Sequence, residues 1–243
     1  MPGESLPPSF TTTRWSVILR AAGGGTDSER IAALDALCRA YWYPLYAFLR
    51  RSGRDPADAE DLVQGFLVRL LDGSLLGHIS ASAPGRFRAF LLTALKNFAT
   101  DAYRAANALK RGGDTELIPL ETALAEEKWQ LEADSAGSPE LAYDRAWANA
   151  TLAAAQARLR AEHERAGKLP LFEALWPLLS GGGTAAGHEE IAPRLGLSPG
   201  AVATAATRLR ERYAEAIRAE ISHCVGSDAE VDDELNHLLG LFS

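Results

Sequence analysis

Apolar residues recur at intervals of three and four through nearly every segment of this chain, and no run alternates β-branched with polar residues over strand length. A side chain returns to the same side of a helix about every 3.6 residues and to the same face of a strand every second one, so this spacing predicts an all-α protein. Leu34, Leu37, Tyr41, Leu45, Phe48 and Leu49 form one stripe, interrupted at Pro44 and closed by Gly53 and Pro56. Leu62, Val63, Phe66, Leu67, Leu70 and Leu71 form the next, ended by Asp72 and Gly73. After a loop over 78–85, Phe87, Leu91, Leu95, Phe98 and Ala102 line a third helix reaching about Leu109. Four further helices fit about 140–162, 169–179, 187–196 and 199–222.

Charge divides the chain more sharply than hydropathy does. Between Pro84 and Gly113, six basic residues (Arg86, Arg88, Lys96, Arg104, Lys110, Arg111) face Asp101 alone. From Asp114 to Asp144 the balance inverts, with nine acidic residues against Lys128. Blocks of opposite sign read as a binding face followed by a linker that must keep clear of it. The expected organisation is an N-terminal segment (1–27), a helical domain (28–111), an acidic linker (112–139) in which Leu124, Trp129 and Leu131 can form a short helix, a second helical domain (140–222) and an acidic C-terminal extension (223–243). In the extension, Val231, Leu235, Leu238, Leu239 and Leu241 make an apolar stripe beside five carboxylates, so it is expected to dock on protein, with the second domain or a partner as the surface covered.

Several classes of function are disfavoured. The net charge of -7 argues against a protein that coats nucleic acid indiscriminately, because phosphate neutralisation needs clustered Lys and Arg. Cys38 and Cys224 are too few and too far apart for a metal knuckle. The five histidines lack H-E-x-x-H spacing, and neither a nucleophile elbow nor a phosphate-cradling glycine loop occurs, so no catalysis, metal or cofactor is expected. No apolar run approaches the roughly 20 residues of a membrane span, and the start lacks a signal pattern; a cytoplasmic location without membrane contact is expected.

Three segments carry chemistry. Asp55 to Gln64 places four acids in the first turns of a helix whose other side is apolar, with Asp58 and Asp61 near one exposed face. Phe87 to Arg104 interleaves basic, amide and aromatic residues, as a surface for single-stranded bases and phosphates requires. Arg86, Arg88, Lys96, Asn97, Tyr103 and Arg104 are the candidates for contact there, while Phe87, Leu91, Leu95 and Phe98 are read as core. Between Glu189 and Val202 the parts of a helix-turn-helix follow one another: Ile191, Ala192 and Leu195 line a helix, Gly196 permits a left-handed turn, Leu197 plugs the core, Ser198 caps and Pro199 opens the next helix. Val202, Ala205, Ala206, Leu209 and Tyr213 then face inward, leaving Ala203, Thr204, Thr207, Arg208 and Arg210 for a major groove and its phosphates. Basic and acidic residues balance over 187–220, so electrostatics alone would hold DNA weakly there.

In this order and at these separations, the segments resemble the two conserved domains of extracytoplasmic-function sigma factors, over most of 28–111 and 140–222. The resemblance implies an alternative sigma factor that brings RNA polymerase core to promoters. Asp58, Glu60, Asp61 and Gln64 would dock on the clamp helices of the largest polymerase subunit. The helix from Phe87 to Arg104 would hold the melted minus-ten strand, with Asn97 where the family often has an asparagine beside a flipped base. Ser198, Ala203, Thr204, Thr207, Arg208 and Arg210 would read the minus-thirty-five duplex, near the flap of the second subunit. Phe90 stands where a tryptophan is common in the family and Ala203 where a lysine often is. The wording also resembles a subgroup some of whose members sit near serine/threonine kinases, so an anti-sigma factor or such a kinase is the implied class of regulator. The competing function is a stand-alone helix-turn-helix regulator, which explains 188–213 but neither of the earlier motifs.

Overall fold

A computed structural model describes residues 26–71, 87–109, 120–132, 137–180, 185–222, 225 and 228–242. Among them are nine helices and no strand: α1 (Asp27–Arg51), α2 (Pro56–Leu71), α3 (Phe87–Leu109), α4 (Leu120–Glu132), α5 (Pro139–Arg165), α6 (Leu169–Ser180), α7 (Ala185–Leu195), α8 (Pro199–Ser222) and α9 (Asp228–Gly240). The protein is all-α, as the periodicity implies. Two compact units divide it, Met1–Asn149 with Ser222–Ser243, and Ala150–Ile221. The division falls inside α5 rather than ahead of it. The first turns of that helix and the C-terminal extension therefore belong with the first unit, not with the second domain or as a separate tail.

In the first unit Tyr41, Leu45, Tyr46 and Leu49 of α1, Val63, Phe66 and Leu70 of α2 and Leu91 and Leu95 of α3 are fully buried. Pro44 lies inside α1 without ending it, in a stretch buried from Pro44 to Leu49; burial of this face holds the helix through the position where the proline removes a donor. The turn into α2 is closed by Gly53, whose φ of 88° is left-handed, with Arg54 N–H donating to the Leu49 carbonyl at 3.1 Å and Gly53 N–H to that of Arg50 at 3.0 Å. Where α2 meets α3 the backbone comes very near a ring: a Cβ on Gly65 would lie 3.2 Å from Phe98 Cζ.

The expected acidic linker is partly helix. In α4, Glu126 receives Arg50 through both carboxylate oxygens at 2.8 Å and the Tyr46 hydroxyl at 2.8 Å. The Arg50 hydrogen bonds hold the Glu126 carboxyl below its usual range, whereas burial and the Glu126 carboxylate push the Tyr46 hydroxyl up, so it stays a donor. The segment thus folds back onto α1. Leu124 and Leu131 stay exposed.

In the second unit Ala155 and Leu159 of α5 share a core with Phe172, Leu175 and Leu178 of α6, Ile191 and Ala192 of α7 and Val202, Ala206, Leu209 and Ile217 of α8. Aromatic contacts extend it: Phe172 lies 5.2 Å from Trp176, which meets the Tyr213 ring edge-on at 5.0 Å. The Tyr213 hydroxyl donates to the Leu152 carbonyl at 3.2 Å, and burial pushes its pKa up.

Candidate nucleic-acid interface

The acidic start of α2 is built from a cap outward. Asp55 Oδ1 accepts the Asp58 N–H at 2.8 Å, satisfying a donor that the first turn leaves open. Asp58 and Asp61 are exposed, as is Gln64. Glu60 is not: it is only 6% exposed and accepts a hydrogen bond from Gln64 Nε2 at 2.8 Å. Its place on the inner side of the helix removes it from the expected docking face. Asp58 is also tied to its surroundings, accepting from Arg54 at 3.1 Å, and the Arg54 guanidinium lies 5.4 Å from the centre of the Tyr103 ring. One arginine so connects the acidic start of α2 to the far end of α3.

Along α3, Lys96, Asn97, Tyr103 and Arg104 are exposed, on the side away from Phe87, Leu91 and Leu95. Lys96 donates to Glu140 of α5 at 2.7 Å, a pair that keeps the Glu140 carboxyl below its usual range, and its ammonium lies 5.5 Å from the Phe48 ring centre. Arg104 is 3.7 Å from Asp101. Arg86 lies outside the described residues.

Arg88 departs from the sequence reading. It is 8% exposed, because it falls on the Phe87–Leu91–Leu95 side of the helix. Its Nε donates to Glu234 of α9 at 3.2 Å, its Nη1 donates to Asp144 of α5, and its guanidinium lies over the Trp147 ring at 5.0 Å. The Tyr143 hydroxyl donates to the Arg88 carbonyl at 3.0 Å, and His237 Nε2 lies 3.2 Å from the second oxygen of Asp144. Burial works against the charged guanidinium, but Glu234 and Asp144 outweigh it and raise its pKa. The sequence reading gives no contact to Asp144, Trp147 or His237 and takes Glu234 only as one of the five carboxylates of the extension. Glu234 did carry a signal, since it lies on the stripe of Val231 and Leu238 and is buried with them, and a carboxylate on an apolar stripe requires a buried cation.

An acidic helix start packed against a helix with a basic and aromatic exposed face, within one helical unit, agrees with the family comparison. Residues 37–108 match sigma-70 region 2. This region 2 domain spans α1 from Leu37, all of α2 and nearly all of α3, and it supports a sigma-70 family sigma factor. It implies binding to RNA polymerase core and to promoter DNA by a factor that starts transcription and is not an enzyme. No curated protein and no solved structure matches the chain. Among the described residues no helix is long and apolar enough to cross a membrane, and no cluster of three metal-ligating residues occurs.

The second unit carries the remaining candidates, between α7 and α8. Gly196 has a φ of 62°, the left-handed turn expected there. Leu197 N–H donates to the Ala192 carbonyl at 3.0 Å and Gly196 N–H to that of Pro193 at 3.3 Å, closing α7 in a Schellman turn. Ser198 Oγ then accepts the Ala201 N–H at 3.2 Å and caps α8. Leu197, expected in the core, is 41% exposed, because the turn carries its side chain outward. Thr204, Thr207 and Arg208 are exposed and Ala203 half-buried. Both threonine hydroxyls donate to carbonyls of their own helix, at 3.0 and 3.1 Å. Arg210 turns away from a groove role: it is half-buried and donates to the Leu178 carbonyl at 2.8 Å, one of the open acceptors at the end of α6.

Proposed function

We propose that the chain is an alternative sigma factor of the extracytoplasmic-function type, which joins polymerase core and directs it to the promoters of a specific regulon. The region 2 match over residues 37–108 carries this reading. On it, the exposed carboxylates Asp58 and Asp61, with Gln64 beside them, dock on the clamp helices of the largest subunit. Lys96, Asn97, Tyr103 and Arg104 take the melted non-template strand of the minus-ten element, bases against the aromatic and amide groups and phosphates against the cations. Arg86 is assigned to the same strand. The capped α7–α8 pair acts as a helix-turn-helix, with Ser198, Ala203, Thr204, Thr207 and Arg208 toward the minus-thirty-five duplex, beside the flap of the second subunit. A stand-alone regulator would leave the region 2 match without a purpose. An anti-sigma factor or a serine/threonine kinase is the class of regulator that the family resemblance suggests.

Run-off transcription with purified core across genomic DNA fragments tests the whole reading. The chain should support initiation from a limited set of fragments that core alone ignores. A chain that neither co-purifies with core nor changes its start sites is no sigma factor.

A further inference from the structure

Arg54 stands in the turn between α1 and α2, outside every segment assigned to promoter DNA, and it is held there on several sides. Its backbone N–H donates to the Leu49 carbonyl at 3.1 Å, its carbonyl accepts from Arg50 Nη1, and its own Nη1 donates to Asp58 at 3.1 Å. So fixed, the guanidinium lies 5.4 Å from the centre of the Tyr103 ring. The ion pair alone does not account for this placement: the two side chains are 29% and 47% exposed, and an exposed pair four residues apart on a helix adds little to stability.

The ring that Arg54 meets is an exposed one. Tyr103 is 54% open to solvent, and it lies seven residues beyond Lys96, about two turns along one side of α3. Two physical consequences follow from a guanidinium over such a ring. A lone surface tyrosine loses rotamer freedom when a base stacks on it, and a cation already seated on one face removes part of that cost in advance. The faces of aromatic rings are also negative, which opposes face-to-face stacking of ring on base; a cation on the far side draws the π density toward itself and eases that repulsion.

We infer that Arg54 is a positioning residue for the promoter strand: from the turn between α1 and α2 its guanidinium seats the Tyr103 ring and leaves the ring's other face to a nucleobase, so that the strand-holding surface reaches beyond α3. This rests on the assignment of α3 to the melted minus-ten strand. Asp58 supplies the counter-charge that keeps the guanidinium in place.

The test uses the full chain with purified polymerase core, and core alone as the blank. The probe is a fluorescein-labelled promoter fragment that the run-off assay selects, pre-melted by mismatches over its minus-ten element. Arg54→Met keeps an unbranched side chain and removes the cation; it should weaken the complex about two- to fivefold, the range of a cation–π contact at an exposed site. Tyr103→Ala should weaken it about fivefold or more, as loss of a stacked base does, and Arg54→Met should add nothing further in that background. Arg54→Lys should recover part of the loss. In the chain labelled with fluorotyrosine, the fluorine resonance that Tyr103→Phe removes should move in Arg54→Met while the thermal midpoint changes by less than about 4 °C, since only an exposed pair is broken. An Arg54→Met complex that binds as wild type does overturns the inference, and so does a loss of equal size with and without Tyr103, which would make Arg54 an independent contact. If Tyr103→Ala and Asn97→Ala both leave binding unchanged, the assignment of α3 fails and the inference with it.

Discussion

Replacing Arg88 by methionine removes the guanidinium while keeping an unbranched apolar side chain, and the consequence follows from its surroundings. The Arg88 side chain is 9% exposed, Glu234 2% and Asp144 18%, so the substitution leaves two carboxylates with little water to turn to. Removing one partner of a buried ionic group costs about 3 to 5 kcal/mol. Asp144 retains His237 at 3.2 Å and some solvent, which places the expectation near the lower end, about 3 kcal/mol. For a chain of this size that lowers the thermal midpoint by about 6 to 12 °C, measured by far-ultraviolet circular dichroism. Two comparators make the number informative. Lys96→Met breaks an exposed pair and should cost less than about 1 kcal/mol. The double change Arg88→Met with Glu234→Leu removes the stranded charge along with its partner and should recover at least half of the loss, since apolar replacement of both members of a buried pair is often near neutral. An Arg88→Met midpoint no lower than that of Lys96→Met would refute the argument, because Arg88 would then be a surface group.

Glu126→Gln should destabilise by about 1 to 2 kcal/mol at neutral pH, a charge-assisted hydrogen-bond loss discounted for partial exposure. Because the folded carboxyl is held below its ordinary value, the stability it adds is present above that value and lost as pH falls through the folded one; urea titrations from pH 7 to pH 3 should therefore bring the wild type and the variant together at the acid end. Asp58→Arg with Asp61→Arg should abolish co-purification with polymerase core while leaving helicity intact, since like-for-opposite charge at a docking face costs several kcal/mol; retained binding removes the assignment of α2. Arg208→Ala should weaken binding to an upstream-element duplex by about 1 to 3 kcal/mol without changing the melting midpoint, whereas Arg210→Ala should lower the midpoint instead. Gel-shift and thermal measurements on the two variants separate these roles, and an exchange of the two outcomes contradicts the placement of their side chains.

Much of this architecture was legible from spacing alone. The third helix runs through to Leu109, the last described residue of that stretch, and Gly196, Ser198 and Pro199 perform the turn, cap and first-turn duties their chemistry dictates. What spacing could not supply was which charged residue turns inward. Arg88 and Glu60 stand among exposed-looking charges, and although Arg88 lies toward the apolar side of its helix, it is the carboxylates of Asp144 and Glu234 that let it stay buried and charged there. The same holds for Arg210, whose partner is a carbonyl 32 residues away. Pro44 gave the opposite error: a local break signal was overridden by the burial of everything around it. An apolar stripe matches any apolar surface, so the tail's expected cover stayed open between the second domain and a partner, whereas the extension groups with the first unit. The carboxylate within that stripe selects one.

The near approach of Gly65 to Phe98 brings α2 and α3 to close range at one point. A methyl group at 65 would meet the Phe98 ring, which would have to give by a few tenths of an ångström to admit it. On the proposed function the carboxylates of α2 and the cations of α3 serve different partners, and this contact is one of the points at which their helices meet at close range. An acidic helix transplanted from elsewhere would need a glycine at this point, or a ring able to shift, to pack on α3 at the same distance.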